Sequence, residues 1–121
     1  MMTAPNTARP RTINVRRADG FFSRLAGLLF MAPLLPDQGL LLVPCAAVHT
    51  AFMRYAIDVV FLDRFGVVKK VVHDLKPWRV ASCSQSWQTL ELAAGESTRL
   101  QLEVGLSLAR KFSNFNQENS A

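Results

Sequence analysis

The chain has 121 residues, of which 50% are hydrophobic and 19% are charged, and its formal net charge is +5. This length allows one domain with a core and excludes two full-sized domains, while the apolar share excludes a wholly disordered chain. Two cysteines are too few for a small domain held together by disulfides.

The N-terminal residues 1–11 are polar and contain proline, and we expect them to form a disordered tail. They lack the apolar stretch of a secretory signal. The longest charge-free stretch, residues 38–53, falls short of the roughly 20 apolar residues of a membrane span. We therefore expect no transmembrane segment and a cytoplasmic location. Four arginines lie near this end of the chain: Arg9, Arg11, Arg16 and Arg17.

This basic segment allows weak, salt-dependent attraction to RNA or to an anionic membrane surface, and it also fits a solvated terminus. The rest of the chain has ten basic and nine acidic residues and is nearly neutral. No stripe of lysine and arginine interleaved with aromatic residues follows, so the sequence gives no strong nucleic-acid signal.

The first half of the chain predicts short elements. Thr12–Arg16 alternates and is typical of a strand, and Asp19 precedes a short amphipathic helix from about Gly20 to Leu28. Turn residues then precede a strand over Leu40–Val43, and Val48–Met53 is expected to be a further extended segment.

The second half predicts more strands than helices. Ile57–Leu62 is the clearest strand, and Asp63 to Gly66 has the composition of a type I turn with a glycine bulge, which predicts a hairpin into residues 67–72. A short segment follows Pro77, residues 81–88 are expected to be a loop, and Leu90–Ala93 is expected to be a strand. Residues 96–101 fit either a helix or a strand.

These elements predict an α+β fold that is mainly β. We expect a compact single domain over residues 12–112, with a curved or barrel-like, largely antiparallel sheet and one or two short helices. Residues 113–121 are expected to be a polar tail, although Phe112 and Phe115 near that end are candidates for exposed apolar surface that mediates dimerisation.

The candidate site is a group of polar residues within apolar strands. Asp58 is the one charged residue of the strand 57–62, so we expect it to be partly buried and to recruit a cation or several hydrogen-bond donors. Arg54 and Arg79 are the expected partners. The cluster fits either a structural salt bridge or a pocket for a small anionic or polar ligand.

Other residues extend this candidate site. His49, next to Thr50 in an apolar stretch, needs hydrogen-bond partners and fits either a core histidine or a ligand-binding one. Trp78 and Arg79 follow Pro77 and would form a stacking and anion-binding platform if exposed. If buried, they would belong to the core and serve as partners of Asp58.

The sequence gives weaker support to thiol redox chemistry and to metal or cofactor binding. Cys45 and Cys83 are redox candidates if the two thiols approach each other, and inert thiols otherwise. No metal-ligand spacing and no nucleotide-binding glycine pattern occurs, so we expect neither a metal nor a cofactor.

A series of short motifs occurs in a fixed order between about residues 12 and 110. They are Gly27-Leu28-Leu29-Phe30, Gly39-Leu40-Leu41, Val48-His49-Thr50, Met53-Arg54, Ile57-Asp58-Val59, Phe61-Leu62-Asp63, Gly66, Leu75, Pro77-Trp78-Arg79, and Leu90-Glu91-Leu92 with Gly95. In these motifs the chain resembles the prokaryotic family catalogued as domain of unknown function 192. The resemblance implies a compact, mainly β single domain and supplies no agreed activity, substrate or catalytic residue.

Three functional hypotheses follow. The first is a non-catalytic accessory domain whose polar cluster binds a small anionic ligand or a protein partner. The second is a small hydrolase-like enzyme in which His49 is the general base, Asp58 orients it, and Arg54 or Arg79 stabilises an anion. The third is weak binding to RNA or to a membrane surface through the basic N-terminal tail.

Overall fold

A computed structural model describes residues 13–19, 34–51, 53–113 and 115. It contains seven strands and two short helices in these residues. The strands are β1 (Asn14–Asp19), β2 (Gln38–Val43), β3 (Ala47–His49), β4 (Ile57–Leu62), β5 (Val68–Leu75), β6 (Val80–Ser82) and β7 (Gln88–Ala93), and the helices are α1 (Glu96–Arg99) and α2 (Leu108–Lys111).

Five strands form one mixed sheet in the order β1-β2-β7-β4-β5. The pair β1–β2 is parallel and the other neighbouring pairs are antiparallel. β3 and β6 form a separate antiparallel pair, which we call the ribbon. This architecture confirms the predicted α+β, mainly β fold. The larger sheet ends in two edge strands, β1 and β5, and is therefore open.

The alternation of β4 creates two cores, one on each face of the sheet, as the sequence predicts. The core on the side of the helices, the helix-side core, consists of Ile13, Leu41, Val43, Val60, Leu62, Val68, Leu90, Leu92, Leu100, Leu102, Leu108, Phe112 and Phe115. The ribbon-side core consists of Leu40, Leu42, Val48, Met53, Ile57, Val59, Phe61 and Leu75. Because β4 contributes to both cores, every one of its residues is buried.

The predicted hairpin joins β4 to β5. The N–H of Gly66 donates to the carbonyl of Asp63 at 3.0 Å, and the Asp63 carboxylate accepts the N–H groups of Phe65 and Val67. Gly66 has a φ of 85°, in the region that favours glycine. The turn chemistry in the sequence therefore identified this hairpin correctly, although β5 extends to Leu75 rather than to residue 72.

Several predicted bounds differ from the structure. The strand expected over Val48–Met53 ends at His49, where the chain turns, and the loop expected over 81–88 begins with the end of β6 because that segment pairs with β3. Residues 96–99 are helical, which settles an alternative left open by the pattern. The helix predicted near Gly20–Leu28 and the tail 1–11 lie outside the described residues.

The expected apolar surface near the C-terminal end is wrong. Phe112 and Phe115 are buried in the helix-side core, and the ring of Phe115 packs near Gly66. They fill the core beneath the hairpin turn and are not available for dimerisation. No helix among the described residues combines the length and apolar character needed to cross a membrane.

Candidate functional site

Asp58 is completely buried, and four hydrogen bonds converge on its carboxylate. Oδ1 accepts the N–H of Asp74 at 2.9 Å. Oδ2 accepts the N–H groups of Gly95 and Ser97 at 3.1 and 2.8 Å and the Ser97 hydroxyl at 2.6 Å. These donors come from the end of β5 and the start of α1. The carboxylate therefore fastens the β7–α1 turn and the end of β5 to β4.

The expected partners of Asp58 are wrong, because Arg54 and Arg79 make no ion pair with it. Both arginines are exposed, and all of the carboxylate's donors are backbone amides and one hydroxyl. The alternative expectation, several hydrogen-bond donors, describes the observed arrangement. The backbone N–H groups at the start of α1 have no partner within the helix, and they supply the hydrogen bonds to Asp58 that an arginine would otherwise donate.

Sequence reasoning missed two residues next to Asp58. The Oγ of Ser97 lies 3.0 Å from Nδ1 of His73, so His73, Ser97 and Asp58 form a chain of hydrogen bonds. Ser97 is completely buried and gives its proton to Asp58 rather than to a histidine. In nucleophilic triads the histidine lies between the serine and the carboxylate. This order fits a structural network rather than an activated nucleophile.

His49 lies elsewhere, on the outer face of the ribbon. It is paired in register with Val80, and both side chains are exposed. Val48 and Ala81, their inward neighbours, pack against the ribbon-side core. Asp58 shares the opposite face of the large sheet with Val60 and Leu62. The structure thus does not bring Asp58 to His49, and an orienting role of Asp58 toward His49 has no support in this geometry.

Thr50 joins two predicted segments of the site. Its side chain is completely buried, and its Oγ1 donates to the carbonyl of Lys76 at 2.6 Å while accepting the N–H of Arg79 at 2.8 Å. Its backbone donates to the Arg79 carbonyl and accepts the N–H of Trp78. Through these bonds the chain after β3, which carries Arg54, is held against the turn that precedes β6.

Trp78 occupies an unusual backbone conformation in that turn. Its φ is 62°, and its side chain is 62% exposed. A left-handed conformation is rare for a bulky residue and persists only where the surroundings impose it. The hydrogen bonds to Thr50 impose it here. Arg79, also exposed, follows directly, and its guanidinium donates to the Trp78 carbonyl at 3.3 Å.

The two cysteines lie at one end of the ribbon. Both are free and half-buried, and both pack against the ribbon-side core. The N–H of Cys83 donates to the carbonyl of Ala46, the neighbour of Cys45, while the Cys45 thiol donates to the carbonyl of Ala47. The redox hypothesis for this pair stays a prediction. No group of three metal-ligating side chains occurs among the described residues.

Glu91 is a further buried titratable residue that sequence reasoning did not single out. It lies on β7, is 4% exposed, and faces the ribbon-side core because Leu90 and Leu92 face the other side. Burial raises its pKa to about 7. The pKa of Tyr55 is also raised, mainly by burial and further by the nearby Glu91 charge. The sequence feature that marks Glu91 is that it is the one charged residue of the largely apolar strand β7.

The comparisons with known proteins identify the family. The family DUF192, described as "Uncharacterized ACR", matches residues 2–109. The chain belongs to the DUF192 family.

Two relatives of this DUF192 protein are named UPF0127 proteins. The chain is 43% identical over 76 residues to a UPF0127 protein of Pyrococcus furiosus and 42% identical over 73 residues to one of Pyrococcus horikoshii. The matches cover 55% and 54% of this chain, and the chain spans 60% and 59% of the two relatives.

Solved structures support the fold alone. A protein of unknown function from Novosphingobium aromaticivorans superposes with a TM-score of 0.68 at 18% identity, covering 77% of this chain and 71% of its own. A proposed transcription regulator from Sinorhizobium meliloti gives a TM-score of 0.66 at 22% identity, covering 75% of this chain and 76% of its own.

Proposed function

We propose that this DUF192 protein is a non-catalytic binding domain and that the outer surface of the ribbon binds a small anionic ligand with a flat ring. We call this the ribbon surface and define it as His49, Trp78, Arg79 and Val80. All four side chains are exposed, and two of them, His49 and Val80, are paired across the ribbon. The single observation that carries the proposal is the strained, exposed Trp78.

The strain at Trp78 is informative because a smaller residue would avoid it. Glycine adopts a positive φ without strain, whereas a side chain in the left-handed region costs roughly 1 kcal/mol or more. Folding stability alone therefore disfavours tryptophan at this position. The buried Thr50 fixes the backbone on both sides of Trp78 and so holds an indole ring outside the body of the protein. Such stored strain is typical of ligand-binding positions.

The neighbours of Trp78 supply the charge preference. Arg79 directly follows Trp78 and its guanidinium donates to the Trp78 carbonyl, and His49 lies on the same outer face of the ribbon as Val80. An arginine beside an aromatic face is suited to a carboxylate or phosphate attached to a flat ring, since the ring stacks and the anion pairs with the guanidinium. Arg54, exposed on the loop that Thr50 anchors, adds a further positive charge at the end of the ribbon.

The test is a thermal-shift and calorimetric screen of flat anions, namely benzoate, indole-3-acetate and nucleoside monophosphates. A ligand present at 100 times its Kd adds about 2.7 kcal/mol, which raises the Tm of a domain of this size by several degrees. We expect Trp78→Ala and Arg79→Ala each to weaken binding at least tenfold.

The chain offers matched controls beside the end of β4, where the N–H of Trp87 donates to the Leu62 carbonyl. Trp87 is 44% exposed, and the Arg64 guanidinium lies 5.2 Å from the centre of its ring. Trp87→Ala and Arg64→Ala remove the same residue types away from the ribbon surface and should leave binding unchanged. If no anion shifts the wild type, or if Trp78→Ala binds as well as wild type, the proposal fails and a protein partner becomes the better hypothesis.

A further inference from the structure

Glu91 occupies the middle of the large sheet. β7 lies between β2 and β4, and Glu91 is paired in register with Leu40 on one side and Val59 on the other. Both neighbours belong to the ribbon-side core. A carboxylate at this depth, flanked by aliphatic side chains, is normally paired with a cation or with several donors.

Glu91 has no such partner among the described residues, and this sets it apart from the other buried carboxylates. Asp58 accepts four hydrogen bonds, and Glu96 accepts the Arg99 guanidinium and the N–H of Asp37. No fully enclosed side-chain oxygen or nitrogen in the described part of the chain lacks a partner. The unpartnered Glu91 carboxylate is therefore not fully enclosed, and 4% of the surface of this residue remains exposed.

The surroundings of Glu91 define what would fit there. The walls in register are the aliphatic Leu40 and Val59, and Tyr55, half-buried against the same core, lies close enough for its titration to respond to the Glu91 charge. A carboxylate with an aromatic residue nearby and aliphatic walls is suited to a cation attached to an apolar body.

We propose that Glu91 binds the protonated amine of a small primary amine whose apolar part packs against the ribbon-side core beside Tyr55. This site is separate from the ribbon surface, because Glu91 lies on the large sheet beneath the ribbon-side core while His49 and Val80 face outward.

Within the part of the chain that the structure describes, few charged groups lie on the same face of the sheet as Glu91. The titratable or charged side chains on the elements packed there are Tyr55 from the loop after β3, Arg16 of β1 in register with Leu40, Lys70 of β5 over the Phe61 ring, and the half-buried Cys45 and Cys83. Leu40 separates Arg16 from Glu91 by one strand, and Phe61 rather than Glu91 lies beneath Lys70.

Proton release gives the proposal a specific signature. With a pKa of about 7, the Glu91 carboxyl is mostly protonated at pH 6 and mostly ionised at pH 8. A protonated amine requires the ionised form, so binding at pH 6 must expel the carboxyl proton to solvent, whereas binding at pH 8 expels little. Affinity should therefore rise about tenfold from pH 6 to pH 8, while butylamine itself stays fully protonated.

The experiment uses the full chain, with butylamine and phenethylamine as probes and butanol and butyrate as uncharged and anionic counterparts. Isothermal titration at pH 6 in two buffers of different ionisation enthalpy measures proton release, and thermal shifts are recorded in parallel. We expect both amines to bind, butanol and butyrate not to bind, and Glu91→Gln to lose at least tenfold in amine affinity.

Glu96→Gln is the matched control, because Glu96 is a buried glutamate that already has its partners. It should bind amines as wild type does. Amine binding that persists in Glu91→Gln, or its absence from wild type at pH 8 up to about 10 mM, overturns the proposal. Should Glu91→Gln fold poorly, carbon-13 NMR of the wild-type glutamates decides: the Glu91 carboxyl signal must shift and lose its titration near pH 7 when amine is added.

Discussion

Asp58 and Glu91 are both buried carboxylates on neighbouring strands of one sheet, yet among the described residues only Asp58 has hydrogen-bond donors. Asp58 lies near the start of β4, beside the end of β7, where the turn into α1 leaves backbone amides without partners in the sheet. Glu91 lies mid-strand, where the amides of β2, β4 and β7 are paired with one another. Position within the sheet therefore decides whether a buried carboxylate stabilises the fold or stays available to a ligand.

The largest effect that tests this contrast is expected at Asp58. Asp58→Asn removes the charge and replaces one carboxylate oxygen with an NH₂ group, which cannot accept a hydrogen bond. Depending on the orientation of the amide, the lost oxygen is Oδ2, which accepts three hydrogen bonds, or Oδ1, which accepts one. Leaving buried donors unpaired costs about 1–3 kcal/mol each, so we expect a loss on the order of 4 kcal/mol in the free energy of unfolding. Urea denaturation followed by circular dichroism measures it.

The control for Asp58 is Asp74→Asn, which alters an exposed carboxylate paired with Lys76. Its free energy of unfolding should change by less than about 0.5 kcal/mol. Equal losses in the two variants would show that the hydrogen bonds at Asp58 do not fasten the turn.

The second effect is expected at Glu91, where substitution should raise the free energy of unfolding rather than lower it, and by an amount that depends on pH. Burial raises the pKa of Glu91 from 4.5 to about 7, so the folded state holds this proton more tightly than the unfolded state. The free energy of unfolding should be highest below pH 4.5 and should fall as the pH rises to 7, in total by about 3 kcal/mol from this group. Glu91→Gln cannot ionise, so it should lack this decrease and be more stable than wild type at pH 8.

Denaturation midpoints between pH 4 and 8 measure the difference between wild type and Glu91→Gln. Glu96→Gln serves as the comparison, because the Glu96 carboxylate pairs with Arg99 and its removal should destabilise the protein. A wild-type curve that runs parallel to that of Glu91→Gln would mean that Glu91 has found a partner.

The third effect concerns the strain at Trp78. Trp78→Gly removes both the indole and the side-chain penalty of a positive φ, whereas Trp78→Ala removes the indole alone. We expect the glycine variant to be about 1 kcal/mol more stable than the alanine variant. Thermal unfolding compares them, and equal stability would remove the argument that strain is stored at the ribbon surface.

The sequence predicted which residues of β4 face each core, but it did not predict the hydrogen-bond partners of Asp58. Alternation alone assigned Ile57 and Val60 to opposite cores, and one charge in an apolar strand identified Asp58 as buried. The donors to Asp58 are mostly backbone amides of residues distant in the chain, and a backbone amide has no signature in the sequence. The same rule of a lone charge in an apolar strand applies equally to Glu91, the one charged residue of β7.

The smallest effect on stability is expected at Arg54, the arginine that the sequence predicted as a partner of Asp58. Arg54 is exposed and makes no ion pair with Asp58, so Arg54→Ala should change the free energy of unfolding by less than about 0.5 kcal/mol. A double-mutant cycle of Arg54→Ala with Asp58→Asn should give a coupling energy near zero, because residues without shared contacts behave additively. Coupling above about 1 kcal/mol would restore the salt bridge and place Arg54 in the Asp58 network rather than beside the ribbon surface.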